Sequence, residues 1–177
     1  MKRFFDKIIA MNTVKLYCVT LVFHFLWSFV VAAILYLSGV EFSQHVASSS
    51  DLVNSFLLVP MCALVEEGLF RWGPMVLFFW SLNCLSKLLK MGDESRSMLE
   101  KYGIAIIVLV SSVIFGCVHG NVFNILLQGV GGLIFFMFYL RTLYKERMEG
   151  KIDKYQLRPL ASSTIYHTLS NSLLIFL

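Results

Sequence analysis

The sequence predicts an all-α protein, a polytopic bundle of about five to six transmembrane helices. Hydrophobic residues occupy 58% of the 177 positions, charged residues occupy 15%, and the mean hydropathy is +0.74. Soluble domains of this length are far less apolar. The basic residues cluster in short segments between apolar stretches, which is typical of membrane topology and not of nucleic-acid binding. We therefore expect a single membrane domain, 1–177, in contact with the lipid bilayer and without a nucleic-acid partner.

The N-terminal region 1–51 is expected to contain an interfacial segment, a first span and an outside loop. Basic residues precede the apolar stretch 17–37, which is long enough to cross a bilayer and too long for a typical cleaved signal. The loop 38–51 contains acidic residues but no lysine or arginine. The positive-inside rule places this loop outside and the N-terminus in the cytoplasm. The compact chain and its short loops favour a bacterial cell membrane.

Two apolar runs, 52–65 and 72–85, flank a charged stretch, and neither run alone is long enough to span a bilayer. The following segment, 86–101, has four basic residues and is expected inside. Passing from the outside loop to this segment takes an odd number of crossings. This favours one long span over 52–86 with a kink or break at Gly73–Pro74. Two short helices remain the alternative.

Three further apolar stretches complete the predicted bundle, at 102–119, 122–140 and 159–177. A short turn without basic residues joins the first two and is expected outside. The segment 141–158 has six basic residues and is expected inside. The four cysteines lie in apolar segments without CxxC spacing, so we expect no disulfide and interpret them as small buried residues.

Two adjacent glutamates and an arginine interrupt the apolar sequence shortly before Gly73. Charged side chains within a membrane segment are costly, and they usually face the bundle interior at a functional site. In a helix, Glu67 and Arg71 can pair on one face, whereas Glu66 points about 100° away. This leaves Glu66 without a counter-ion and makes it the candidate for proton transfer. A buried ion-pair network that only locks the helices explains this stretch equally well.

Two histidine-containing stretches place further polar groups in apolar segments. Phe115 and His119 are four residues apart, and the glycine that follows each of them permits close helix approach. His167 and Asn171 have the same spacing and can converge on one point from a single helix. A lone membrane histidine is usually a packing or hydrogen-bonding residue. Three polar elements in one small bundle instead favour a common site.

These elements resemble, in their order along the chain, the three motifs of the CPBP family, the CAAX-protease and bacteriocin-processing or Abi family of intramembrane proteases. The motifs are EExxxR at Glu66, Glu67 and Arg71, FxxxH at Phe115 and His119, and HxxxN at His167 and Asn171. The resemblance covers roughly 52–177, the expected catalytic core, and leaves the first span outside it. It implies an all-helical membrane bundle that hydrolyses a peptide bond. Trp72 departs from the family pattern, in which a small residue usually follows the arginine.

The resemblance also implies a role for each motif residue. Glu66 is the expected general base, and His119 is its partner in activating water. His167 and Asn171 are expected to stabilise the oxyanion through side-chain N–H groups. The supporting residues are Glu67, Arg71 and Phe115. With a single crossing, Glu66 and His119 lie at compatible depths, about 31 and 26 Å of helix from the inside face.

Several alternatives remain open at the level of sequence. The resemblance requires no cofactor, but Glu66, His119 and His167 could form a zinc site, since two histidines and a glutamate are a known catalytic ligand set. Outside enzymology, the chain could be a non-catalytic membrane adaptor or immunity protein on the same fold, or a small transporter with a buried carboxylate. The expected substrate is a membrane-embedded or lipidated peptide or protein. Prenylated CAAX tails, leader peptides and sorting signals all fit, and the oligomeric state is not predicted.

Overall fold

A computed structural model of the chain describes residues 7–39, 49–120, 124–151 and 155–175. These residues form helices and contain no β-strand, which confirms the all-α class. Two π-helical turns, Gly68–Trp72 and Ile125–Gly129, each lead directly into the helix that follows. The α-helices are α1 (Thr13–Leu37), α2 (Ser49–Glu67), α3 (Gly73–Leu88), α4 (Asp93–Val118), α5 (Val130–Met148) and α6 (Leu157–Ile175).

Three stretches in the described part of the chain are long and apolar enough to cross a bilayer: α1, α4 and the combined helix Ile125–Met148. Together with the other helices they form the expected all-α membrane bundle. The interfacial segment predicted before α1 is described only from residue 7, and it is helical at 7–10. α1 itself begins at Thr13, earlier than expected, because the Asn12 side chain caps it by accepting a hydrogen bond of 2.9 Å from the Val14 N–H.

Two helices extend into segments that hydropathy assigns to inside loops. α4 begins at Asp93 instead of at 102, and α5 ends at Met148 instead of at 140. Acidic residues occupy the first turn of α4 and basic residues the last turn of α5, where each complements the helix dipole. An ion pair between Arg147 and Glu100 joins the two extensions. The start of α4 and the end of α5 therefore lie outside the apolar segments from which these helices were predicted.

The chain is continuously helical from Ser49 to Leu88, so the alternative of two short helices is wrong. The predicted irregularity is present as the π-helical turn, in which the Gly73 N–H bonds to Gly68 O, five residues back. Pro74 follows this turn directly, and because it has no N–H it removes a hydrogen bond from the continuous helix at the irregularity. The Trp72 indole donates a 2.6 Å hydrogen bond to Tyr155 O, just before α6. This bond connects the turn to the start of α6.

Close packing between α4 and the second π-helical turn depends on Gly116. A Cβ atom at this position would lie 2.5 Å from Ile125 Cα, which is closer than real Cβ contacts allow. The close helix approach that the sequence predicts at this glycine is therefore present. α6 packs against both α5 and α2 and thereby connects these two helices.

The four cysteines do not occupy the core, contrary to expectation. All four are free thiols, and all are exposed on the surface of the bundle, at Cys18, Cys62, Cys84 and Cys117. In a membrane protein, lipid-facing and core-facing positions are both apolar, so hydropathy does not distinguish them. The expected absence of a disulfide among these cysteines agrees with the structure.

The Gly116 contact predicts a loss of stability when a methyl group is added. In Gly116→Ala the new Cβ meets backbone atoms, which cannot rotate away, so we expect a loss of roughly 2–3 kcal/mol and a fall in Tm of about 4–10 °C. The measurement is thermal unfolding of the purified chain in detergent. The matched control is Gly92→Ala, because a Cβ at Gly92 would meet no atom within 4 Å. Equal Tm values for the two variants would contradict the proposed packing role.

Candidate active site

The motif glutamates are the last two residues of α2, and they project into the bundle just before the π-helical turn. Glu67 is fully buried and its Oε1 lies 3.1 Å from Arg71 Nη1, so the predicted ion pair within the motif is present. The same oxygen accepts a 2.9 Å hydrogen bond from His167 Nδ1 on α6. Glu67 thus joins the EExxxR and HxxxN motifs at one atom.

Aromatic rings enclose the buried Arg71 guanidinium on several sides. Its Cζ lies 4.3 Å from the Phe115 ring centroid, 5.4 Å from Phe135 and 6.0 Å from Phe70. A desolvated guanidinium gains about 2 kcal/mol or more from such a ring face. The absence of a side chain at Gly132 makes room for this packing, since a Cβ there would lie 3.1 Å from Arg71 Nη2. Charge and ring faces, rather than a hydrogen-bond network, hold the guanidinium in place.

Glu66 occupies a different environment from Glu67. Its side chain is 29% exposed, and its two oxygens face two histidines: Oε1 lies 3.8 Å from His119 Nε2, and Oε2 lies 3.5 Å from His167 Nε2. Both separations exceed the usual length of a direct hydrogen bond. The structure therefore brings together five of the predicted site residues, with the Glu67 carboxylate paired to Arg71 and the Glu66 carboxylate open to the exterior.

The nitrogen atoms of both imidazoles have assignable roles. His119 follows the last residue of α4, and its Nδ1 lies 2.7 Å from Phe115 O. A carbonyl oxygen only accepts, so Nδ1 carries the proton and Nε2 faces Glu66. In His167, Nδ1 donates to the Glu67 carboxylate by the same argument, and Nε2 again faces Glu66. Both rings thus present the same nitrogen to the open carboxylate.

Phenylalanine rings fix the planes of the two histidines. Phe115 contacts His119 with 4.4 Å between centroids, and Phe135 stacks on His167 at 4.1 Å with an interplanar angle of 21°. The resemblance predicts a supporting role for Phe115, but sequence reasoning did not identify Phe135. The available signal was its position shortly after Gly131–Gly132, a glycine pair that permits close helix contact.

Asn171 lies one helical turn beyond His167 on α6 and is partly buried. A spacing of four residues puts both side chains on the same face of the helix, about 6 Å apart along its axis. The structure thus places Asn171 on the α6 face that contributes His167 to the site. Its role in binding an oxyanion stays a prediction.

The nitrogens that face Glu66 resemble those of a metal site, in which a histidine donates its other N–H to an oxygen. Among the described residues, however, no group of three or more His, Cys, Asp or Glu side chains is arranged to hold a metal ion. The arrangement that is present suits proton transfer, because a partly exposed carboxylate and two imidazoles converge on one small volume.

Comparison with known proteins identifies the family. A family model for type II CAAX prenyl endopeptidases, described as Rce1-like, matches residues 48–173, which is about 70% of the chain. This region contains every motif residue and excludes α1. Searches of curated proteins and of solved structures gave no match. The expected family is thus confirmed, and the apolar helices make the chain an integral membrane protein. The chain belongs to the Rce1-like family of type II CAAX prenyl endopeptidases, within the CPBP group of CAAX intramembrane proteases.

Proposed function

We propose that the chain is an intramembrane endopeptidase in which Glu66 and His119 activate water and His167 and Asn171 stabilise the oxyanion. One observation carries this proposal. Glu66 is the only one of the two motif carboxylates that is not engaged by Arg71, and it faces the Nε2 atoms of both histidines. The ion pair of Glu67 with Arg71 holds the end of α2 and thereby sets the position of Glu66.

The gap between Glu66 and His119 suits a water molecule. With Nδ1 protonated, neutral His119 has a lone pair on Nε2, so this atom and the carboxylate oxygen are both acceptors. A water about 2.8 Å from each would donate one proton to each, and the 3.8 Å separation allows such a bridge. Glu66 then removes one of these protons as the water oxygen attacks the substrate carbonyl carbon.

His167 is suited to donate a hydrogen bond to the oxyanion that forms. Because its Nδ1–H is bonded to Glu67, donation from Nε2 requires the imidazolium form. Two carboxylates and one guanidinium leave the cluster with one negative charge, and an imidazolium at His167 makes it neutral. Asn171 supplies a second N–H donor from the same helix face.

The proposed residues account for every proton that is transferred in the reaction. The proton that Glu66 takes from water passes to the departing amine nitrogen when the carbon–nitrogen bond breaks. The products are a free carboxyl group and a free amine, and Glu66 is again ionised. The Glu67–Arg71 pair keeps its charges throughout, since its role is to hold Glu66 and His167 in register.

We further propose the substrate class and the orientation of the chain. Family membership implies a membrane-associated peptide or protein, and the exposed edge of Glu66 and His119 is where such a chain can reach the site. The basic segments support a cytoplasmic N-terminus, and the compact chain with its short loops supports a bacterial cell membrane. Lipidated and membrane-embedded peptides both fit this edge.

The first prediction concerns Glu66 and His119. Glu66→Gln keeps the size of the side chain but removes the base, and His119→Ala removes the second water contact, so each should lower kcat by about 10²- to 10⁴-fold. The measurement is cleavage of a membrane-anchored fluorogenic peptide by the purified chain. Glu149→Gln, at an exposed carboxylate, is the matched control. Undiminished cleavage in either site variant, with Tm unchanged, would overturn the mechanism.

A second prediction separates the two glutamates. Glu67→Gln removes the charge that holds His167 Nδ1 and Arg71, so we expect kcat to fall roughly 10- to 10³-fold while some cleavage remains. Because a buried guanidinium loses its counter-ion, the free energy of unfolding should also fall by about 3–5 kcal/mol. Kinetics and thermal unfolding are measured on the same preparation, with Glu149→Gln, at an exposed carboxylate, as the control outside the motifs. A Glu67→Gln variant with normal Tm and normal kcat would contradict the supporting role.

A third prediction tests metal dependence. If Glu66 and His119 activate water directly, treatment with EDTA or 1,10-phenanthroline should leave the cleavage rate within about twofold of the untreated value. Loss of activity that added Zn²⁺ restores would replace the proposed mechanism with the zinc alternative. A wild-type chain that cleaves no peptide, and whose biological output is normal in Glu66→Gln and His119→Ala, would favour an adaptor.

A further inference from the structure

α1 lies outside the residues that match the family model, yet it contacts a ring of the candidate site. His24 on α1 lies edge-on to Phe135, with 6.2 Å between ring centroids and an interplanar angle of 74°. Phe135 in turn stacks on His167. Two successive ring contacts, from His24 to Phe135 and from Phe135 to His167, therefore connect α1 to the imidazole whose Nε2 faces Glu66.

A glycine on α5 lets His24 approach this closely. A Cβ atom at Gly131 would lie 3.2 Å from both Cε1 and Nε2 of His24. Such contacts are tighter than most that real side chains make, so a larger residue would push the imidazole away. The ring is only partly buried.

Beside His24 is a small cavity between α1 and α6. Its lining residues are Leu21, His24, Phe25, Ser28 and Ser170, and its volume of about 10 Å³, measured for the centre of a water-sized sphere, corresponds to a single water molecule. Three of the five lining side chains are polar. The cavity is partly open, and a water bound in it needs two to four polar partners, a number that these three residues have the groups to supply.

Ser170 gives independent support for a ligand in this cavity. Its side chain is buried, with 3% exposed, and within the described ranges its Oγ makes no well-formed hydrogen bond, although the Tyr166 hydroxyl is a near polar neighbour. Buried hydroxyl groups are nearly always hydrogen-bonded. Ser170 follows His167 by three residues on α6, so a ligand bound to its hydroxyl would support the same helical turn that carries His167.

We propose that His24, Ser28 and Ser170 bind one water molecule, and that through this water and Phe135 His24 acts as a positioning residue for His167. The inference rests on the proposed function, since it concerns the donor to the oxyanion. The hydrogen bond from His167 Nδ1 to Glu67 holds one side of the imidazole without any water. The water and the Phe135 contact fix the opposite side, where α6 meets α1.

The test compares two substitutions of His24. His24→Phe keeps the ring against Phe135 but cannot bind the water, so kcat should fall about 10-fold while KM stays within twofold. His24→Gln retains a polar group and should recover kcat to within about threefold of wild type. Phe29→Leu on the exposed face of α1 is the control, since Phe29 is 76% exposed. A normal kcat in His24→Phe overturns the inference, and so does an equal loss in His24→Gln.

A crystal structure of the full chain in a lipidic mesophase tests the site without reference to activity. We expect a water oxygen within about 3.2 Å of Ser170 Oγ and of His24 or Ser28. Absence of this water in wild type, or its persistence in His24→Phe, overturns the inference. If wild type cleaves and Glu66→Gln does not, the proposed function stands whatever the His24 variants show. If wild type cleaves nothing, the proposed function fails and the water site is still decided by the structure.

Discussion

The ion pair between Glu67 and Arg71 is the interaction on which the rest of the site depends. Burying two charges costs several kcal/mol for each ion, and their attraction repays that cost only when other contacts satisfy them. Here the Phe115 ring faces the guanidinium, and His167 donates a hydrogen bond to the carboxylate. These contacts come from α4 and α6, so the pair forms fully only when both helices pack against the end of α2. Formation of the charged cluster and assembly of the bundle are therefore coupled.

The two adjacent glutamates differ because the helix turns between them. Glu67 points inward and is 0% exposed, whereas Glu66 is displaced by about 100° and is 29% exposed at the boundary of the bundle. The buried residue has a permanent counter-ion, and its neighbour has none of comparable strength. Glu67 thus maintains the structure, and Glu66 is the carboxylate to which we assign proton exchange with water. The proposed chemistry needs this asymmetry, because a carboxylate held by arginine is a poor base.

The sequence predicted the parts of this site that depend on local spacing. The ion pair of Glu67 with Arg71 follows from helix geometry, and the three motifs identified the family before any contact was known. Hydropathy was less informative about helix ends, because capping and dipole interactions carried α4 and α5 beyond their apolar segments. It also failed to separate the core from the lipid-facing surface, so the cysteines were placed inside and Phe135 was overlooked. Only the three-dimensional packing distinguishes a phenylalanine that stacks on a histidine from one that faces lipid.

The burial pattern also fixes the direction from which reactants approach. Glu67, Arg71 and His167 are at most 2% exposed, so the side of the cluster that these three residues form is closed. Glu66 and His119 are exposed to the same extent as each other and form its open edge. In the proposed mechanism, a peptide therefore approaches from this edge and meets the water held by Glu66 and His119 before it meets His167, the residue to which we assign the developing negative charge. Because His24 on α1 contacts Phe135, and the Phe135 ring stacks on His167, we expect changes in α1 to affect how His167 is held rather than how the peptide enters.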